Sequence, residues 1–184
     1  MSNFVKRFFT SIILLIILYC AAINKIILFS LLVIIGFISL IEFFKLIQKI
    51  FADNEIKILF FYLTFIFYLS ISLTQIFYYL NLDFRSKLLL IFIISICIAT
   101  DIGGYIFGKL LKGKKLTKIS PNKTYSGLIG SYIISFLIFY YFYSRFNFSI
   151  NYLILTFIIC SVSQIGDLFI SYLKRKAKVK NTGS

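Results

Sequence analysis

The chain has 184 residues, of which 60% are hydrophobic, 20% aromatic and 14% charged, with a formal net charge of +14 and no histidine. Water-soluble domains carry about 25% charged residues, so a soluble fold could not hide this much apolar surface. Without histidine there is no imidazole for acid/base work or metal coordination, and any chemistry must use carboxylates, hydroxyls, basic groups or a bound metal.

The apolar residues come in long blocks. A helix needs ~20 of them to cross a hydrocarbon core of ~30 Å, because backbone polar groups in lipid must be satisfied within the segment. In chain order the blocks lie at about 8–23, 26–47, 58–80, 88–111, 126–143 and 152–173. Their hydrophobicity runs all round rather than in a stripe, which predicts bundled spanning helices rather than amphipathic surface ones. The expectation is an all-α, polytopic transmembrane helical bundle of about six spans. The first two blocks could also form a tight hairpin or one kinked pair. Lys6 and Arg7 ahead of an apolar run would suit a cleaved signal peptide as well, but Ala21-Ala22 is followed at once by another block of spanning length.

Six spans divide the basic residues unevenly. One side receives Lys6 and Arg7, then Lys45, Lys49 and Lys57, the stretch from Lys109 to Lys123, and the tail from Lys174 to Lys180, which together hold 16 of the 20 Lys and Arg. The other side has Lys25, Arg85, Lys87 and Arg145. Cytoplasmic loops carry the basic excess, so both termini are expected in the cytoplasm. The net charge is then explained by topology and attraction to anionic headgroups, and no nucleic acid partner is expected. Two clusters exceed what orientation needs: Lys109, Lys112, Lys114, Lys115, Lys118 and Lys123, and Lys174, Arg175, Lys176, Lys178 and Lys180.

Cys20, Cys97 and Cys160 sit in apolar blocks without short spacings, which suggests small buried hydrophobes rather than disulfides or a thiolate metal site. Of six acidic residues, Glu42, Asp53, Glu55 and Asp83 are assigned to loops or loop edges. Asp101 and Asp167 instead interrupt apolar blocks. A charge there costs several kcal/mol unless it faces water or a partner, so its default reading is functional. Asp101 lies eight residues before Lys109 and Asp167 seven before Lys174, which puts both roughly 10–12 Å inside the same boundary. They could share one cavity open to the cytoplasm, or each could pair privately with a lysine or hydroxyl as helix glue.

Glycines and hydroxyls surround them. Gly104-Tyr-Ile-Phe-Gly108 has the spacing that lets membrane helices pack closely. The loop Lys118-Ile-Ser-Pro-Asn-Lys-Thr-Tyr-Ser-Gly follows, with the only proline, Pro121, just before the fifth block. Proline near a helix start, with free amides beside lysines, could cradle phosphate; a loop cap without ligand is the other reading.

Three blocks of residues carry a family resemblance. Asp101-Ile-Gly-Gly-Tyr-Ile-Phe-Gly-Lys-Leu, Ser120-Pro-Asn-Lys-Thr-Tyr-Ser-Gly and Gly166-Asp-Leu-Phe-Ile-Ser-Tyr-Leu-Lys-Arg resemble, in order and spacing, motifs of the phosphatidate cytidylyltransferases, or CDP-diacylglycerol synthases. The N-terminal blocks are similar in hydrophobicity alone, which suggests spans over 1–100 and a catalytic-type region over 101–184. Tyr125 and Ser126 stand where the family has Trp and Glu, Ile170 where it has Glu, and Asn181 where it has Asp. The family signature continues into further carboxylates, so a truncated, split or partially recorded member is expected.

The resemblance implies transfer of a cytidylyl group from CTP to phosphatidate, giving CDP-diacylglycerol and pyrophosphate with Mg2+ as cofactor, at a bacterial inner membrane with the site facing the cytoplasm. It implies Asp167 and Asp101 as metal ligands or acidic groups and Lys174 and Arg175 as catalytic cations. Lys109, Ser120, Lys123, Thr124 and Ser171 would contact substrate. CTP, phosphatidate and membrane lipids are the implied partners. The family often forms dimers, and Gly104 to Gly108 is one face on which a homodimer could pack. Two other classes remain open: an isoprenoid-lipid kinase or transferase, and a non-catalytic remnant that binds lipid or ions.

Overall fold

A computed structural model describes residues 24–117, 119–120 and 123–179. The apolar block at 8–23, and Lys118, Pro121, Asn122, Lys180 and Asn181, lie outside the described residues. The described chain folds into five helices: α1 (Lys25–Ile50), α2 (Glu55–Asn81), α3 (Phe84–Leu111), α4 (Tyr125–Phe146) and α5 (Asn151–Lys176). Each is long and apolar enough to cross a membrane. At 22 to 28 residues they measure roughly 33 to 42 Å, more than the ~30 Å hydrocarbon core. The chain is an integral membrane protein.

The helices match the last five apolar blocks but mostly run a few residues past them, and polar caps start several of them. The Asn24 side chain accepts the Ile26 amide at the start of α1, and Thr124 accepts the Gly127 amide at the start of α4. Such caps satisfy amides that have no partner within the helix. Asp83 caps α3, and the Ser86 hydroxyl, 2.6 Å from its carboxylate, holds that carboxyl below the usual range. At their far ends α3 and α4 stop on left-handed residues, Lys112 (φ 42°) and Asn147 (φ 52°).

Among the described residues, those up to Asn81 form one compact unit and those from Leu82 another. The boundary expected near residue 100 falls inside α3, which runs unbroken through it. In the first unit α1 and α2 pair as a hairpin, with ring contacts Phe43–Phe65, Phe44–Tyr62 and Phe29–Phe77 along the seam. The Lys25 ammonium donates to Asn81 at 2.8 Å and closes the open end. No residue of α2 is buried. Glu42, expected at a loop edge, lies two turns inside α1, because the helix continues through Lys45 and Lys49.

In the second unit α3, α4 and α5 pack on one another. Near the start of α3 a core of Phe92, Ile96, Phe139, Phe142 and Phe148 forms, with Tyr152 against it. Toward the end of α3 the packing changes character. A Cβ on Gly103 would lie 2.9 Å from the Ser131 Cα and overlap the Gly130 carbonyl, and one on Gly130 would overlap the Phe107 ring. Bare glycines thus let two backbones meet directly, the small-residue contact of membrane helices. Gly104 lies against Ser131 of α4 and Gly108 against Thr124, which caps that helix. Part of that face, expected as a possible dimer contact, packs within the chain, and both glycines stay half-buried.

Candidate active site

The glycine crossing leaves space beside it. A cavity of about 360 Å³ opens at this end of the second unit, with walls from α3, the loop after it, α4 and α5. Asp101 of α3 and Asp167 of α5 both line it. The spacing argument that put the two carboxylates at one depth is met by a shared cavity.

Described residues of the loop between α3 and α4 form the cavity's rim, and hydrogen bonds tie their backbone down. Leu116 N donates to Lys123 O at 2.7 Å, Tyr125 N to Lys114 O at 3.0 Å, and Lys123 N to Ser120 O at 3.1 Å. Lys115 and Thr124 form an antiparallel bridge. The Arg175 guanidinium reaches from α5 to the Ile119 carbonyl at 3.3 Å. These bonds set Ser120, Lys123 and Thr124 on the cavity wall. The Lys123 ammonium donates to Asp167 Oδ2 at 2.8 Å, joining residues 44 apart in sequence. Among the described residues no side chain donates to Asp101. One carboxylate therefore has the private lysine partner of the helix-glue reading, and the other faces the cavity without one.

The first turn of α4 is less open than a phosphate cradle requires. The Gly127 amide is spent on the Thr124 hydroxyl and the Tyr125 amide on Lys114. Ser126, where the resembled motif has Glu, accepts from the Gly113 amide at 3.3 Å and meets the Thr124 hydroxyl at 3.0 Å, so it joins the loop to the helix.

Of the expected site residues, Asp101, Ser120, Lys123, Thr124 and Asp167 come together on the cavity. Four do not. Lys109 lies beside the Tyr105 ring, its ammonium 3.4 Å from the phenol oxygen. The Ser171 hydroxyl donates to the Asp167 carbonyl of its own helix at 2.8 Å, the local bond that serine favours inside helices. Arg175 is committed to Ile119, and Lys174 lies two turns past Asp167, beyond the lining residues. In the other direction, Thr100, Tyr105, Ser131 and Gln164 line the cavity without having been singled out. Tyr105 is four residues after Asp101 and Gln164 three before Asp167, so the helical neighbour spacing counted from each carboxylate would have found both.

The family described as the cytidylyltransferase family matches residues 4–184. The chain belongs to the cytidylyltransferase family. Proteins named phosphatidate cytidylyltransferase are among its relatives. One from Rickettsia felis is 36% identical over 118 residues, 57% of this chain and 51% of the relative. One from Staphylococcus haemolyticus is 47% identical over 88 residues, 46% of this chain and 34% of the relative. One from Helicobacter pylori is 36% identical over 96 residues, 51% of this chain and 36% of the relative. The chain thus matches about half or less of the length of these cytidylyltransferases. No solved structure matches it.

Proposed function

We propose that this chain carries out, in the inner membrane of a bacterium, the transfer of a cytidylyl group from CTP to phosphatidate, yielding CDP-diacylglycerol and pyrophosphate. The observation that carries this reading is the placement of two carboxylates and a lysine on one cavity, at the end of the unit where α3 and α5 finish in basic residues. Membership of the family and the names of its relatives support the reaction class.

The donor set fits a magnesium ion. Asp101 and Asp167 face the same space with the hydroxyls of Ser120 and Thr124, and among the described residues no third His, Cys, Asp or Glu joins them. Magnesium usually takes one or two carboxylates and leaves its other positions to water and substrate phosphate oxygens, which such a half-built set allows. Asp101 and Asp167 would hold it, and when bound it would neutralise charge on the phosphate oxygens.

The rest falls to side chains of the chain. In this reading the phosphatidate phosphate attacks the α-phosphorus of CTP and pyrophosphate leaves in line, so no covalent enzyme intermediate is needed and positioning and charge neutralisation dominate. Lys123 lies within reach of a phosphate at the carboxylates, and the Ser120 and Thr124 hydroxyls can contact its oxygens. Lys109 and Lys174, outside the cavity lining, would act as a second ring of positive charge that draws anionic substrates in. Arg175 holds the rim loop, and Ser171 is reassigned to its own helix. The basic end would face the cytoplasm, with both termini on that side, and the acyl chains of phosphatidate would stay in the bilayer.

The test is magnesium-dependent release of pyrophosphate from CTP and phosphatidate by the purified chain in detergent. Release that requires both substrates supports the reading. Silence favours a non-catalytic membrane protein, and turnover of an isoprenoid alcohol in place of phosphatidate would assign a different enzyme.

A further inference from the structure

The Lys123–Asp167 pair is an ion pair across the cavity between a rim loop and a spanning helix. We propose that Lys123 guards Asp167: its ammonium occupies the carboxylate until nucleotide phosphates draw it away, so that triphosphate binding opens Asp167 to the divalent cation. The inference rests on the proposed reading of the cavity as a nucleotide and cation site.

Three observations lead to it. The ammonium lies 2.8 Å from Asp167 Oδ2, so a divalent cation on that oxygen would meet an adjacent like charge. The Lys123 backbone is anchored on both sides, its amide on the Ser120 carbonyl and its carbonyl on the Leu116 amide. Release therefore needs only a rotation of the Lys123 side chain. The pair is also accessible, with Lys123 29% and Asp167 56% exposed, so the ammonium can exchange one oxygen anion for another at low desolvation cost. A lysine's compact charge on a flexible stem suits such an exchange better than a planar, bidentate arginine would. Thermodynamic linkage then requires that nucleotide tighten cation binding through this residue and that the cation tighten nucleotide binding.

The guard makes opposite predictions for the two ligands. Lys123→Met keeps the length of the stem and removes the charge. Without nucleotide, Mn2+ titrated into the purified chain and followed by its electron paramagnetic resonance signal should bind about tenfold more tightly to Lys123→Met than to the wild type, a change of about 1.4 kcal/mol. Lys114→Met, which removes one charge from the same loop, should change Mn2+ affinity much less. CTP alone, in EDTA, should bind Lys123→Met more weakly than the wild type. Equal Mn2+ affinity in Lys123→Met and the wild type, an equal gain in Lys114→Met, or unchanged CTP affinity would each overturn the guard. Asp167→Asn separates this inference from the reading beneath it. If it loses Mn2+ while Lys123→Met behaves as the wild type, the cation site stands and the guard falls. If it binds Mn2+ unchanged, the cation assignment falls and takes the guard with it.

Discussion

The two ends of the three-helix unit are built on opposite principles. At one end Phe92, Phe142 and Phe148 meet ring to ring at centroid distances between 5.1 and 5.6 Å, and large side chains fill the space among the helices. At the other, glycines remove side chains where α3 crosses α4, and small polar groups line what is left. Thr100 meets Ser135 at 3.0 Å, and the Ser131 hydroxyl donates to the Thr100 carbonyl at 2.7 Å. In lipid, where apolar burial drives helix association weakly, close packing and interhelical hydrogen bonds must hold helices together. The aromatic end uses the first of these. The glycine end uses both, and keeps a cavity beside the contact.

If the ends divide labour between holding the fold and serving the site, substitutions should separate stability from activity. The largest effect is expected at Asp167. Asp167→Asn should lower turnover by roughly a hundredfold to a thousandfold, the scale seen when a principal electrostatic group is removed. It should leave thermal stability in detergent nearly unchanged, since an accessible ion pair contributes little. Retained turnover would remove Asp167 from the chemistry and leave its pairing with Lys123 as helix glue.

Phe92→Ala should do the reverse. Phe92 is fully buried, and removing its ring leaves a void that its neighbours can fill only in part. The expected loss is about 3 kcal/mol, read as a lower midpoint of thermal or denaturant unfolding. In the fraction that remains folded, turnover should stay near wild type. A selective loss of turnover at unchanged stability would break the division between the ends.

Gly103→Ala tests the crossing itself. The new methyl would overlap the Gly130 carbonyl and lie 2.9 Å from the Ser131 Cα, backbone atoms that cannot turn aside. Overpacking of this kind costs roughly 1–3 kcal/mol. Because the crossing also sets the cavity wall, stability and turnover should fall together, unlike at Asp167 or Phe92.

The sequence shows these two ends unequally. Five of the expected apolar blocks reappear as helices because length and hydrophobicity alone decide what can span a bilayer, whereas their ends required Thr124 and Asp83 to be read as caps. Asp101 and Asp167 were legible because a carboxylate in an apolar run is costly without a purpose. Thr100 and Ser131 were not, since a neutral polar residue is cheap in a helix where a backbone carbonyl satisfies it, as the Ile96 carbonyl does the Thr100 hydroxyl. Lys109, Lys174 and Arg175 were drawn in by charge, but from Asp101 or Asp167 they lie at least seven residues down the helix. That is roughly 10 Å or more along the axis, too far for a cavity of this size to include.

Gly166 gives the smallest expected effect and the sharpest contrast with Gly103. It precedes Asp167 in α5, yet a Cβ built on it meets nothing within 4 Å. Glycine inside a helix is less favourable than alanine by roughly 0.8–1 kcal/mol, so Gly166→Ala should leave stability unchanged or raise it by up to about that amount, read as a slightly higher unfolding midpoint in detergent. A drop in stability would show that another surface packs on this face of α5. A drop in turnover with the midpoint held or raised would show that the glycine keeps the backbone bare for a ligand approaching Asp167. In that case the glycine of the third motif would serve the site, while Gly103 and Gly130 serve the fold.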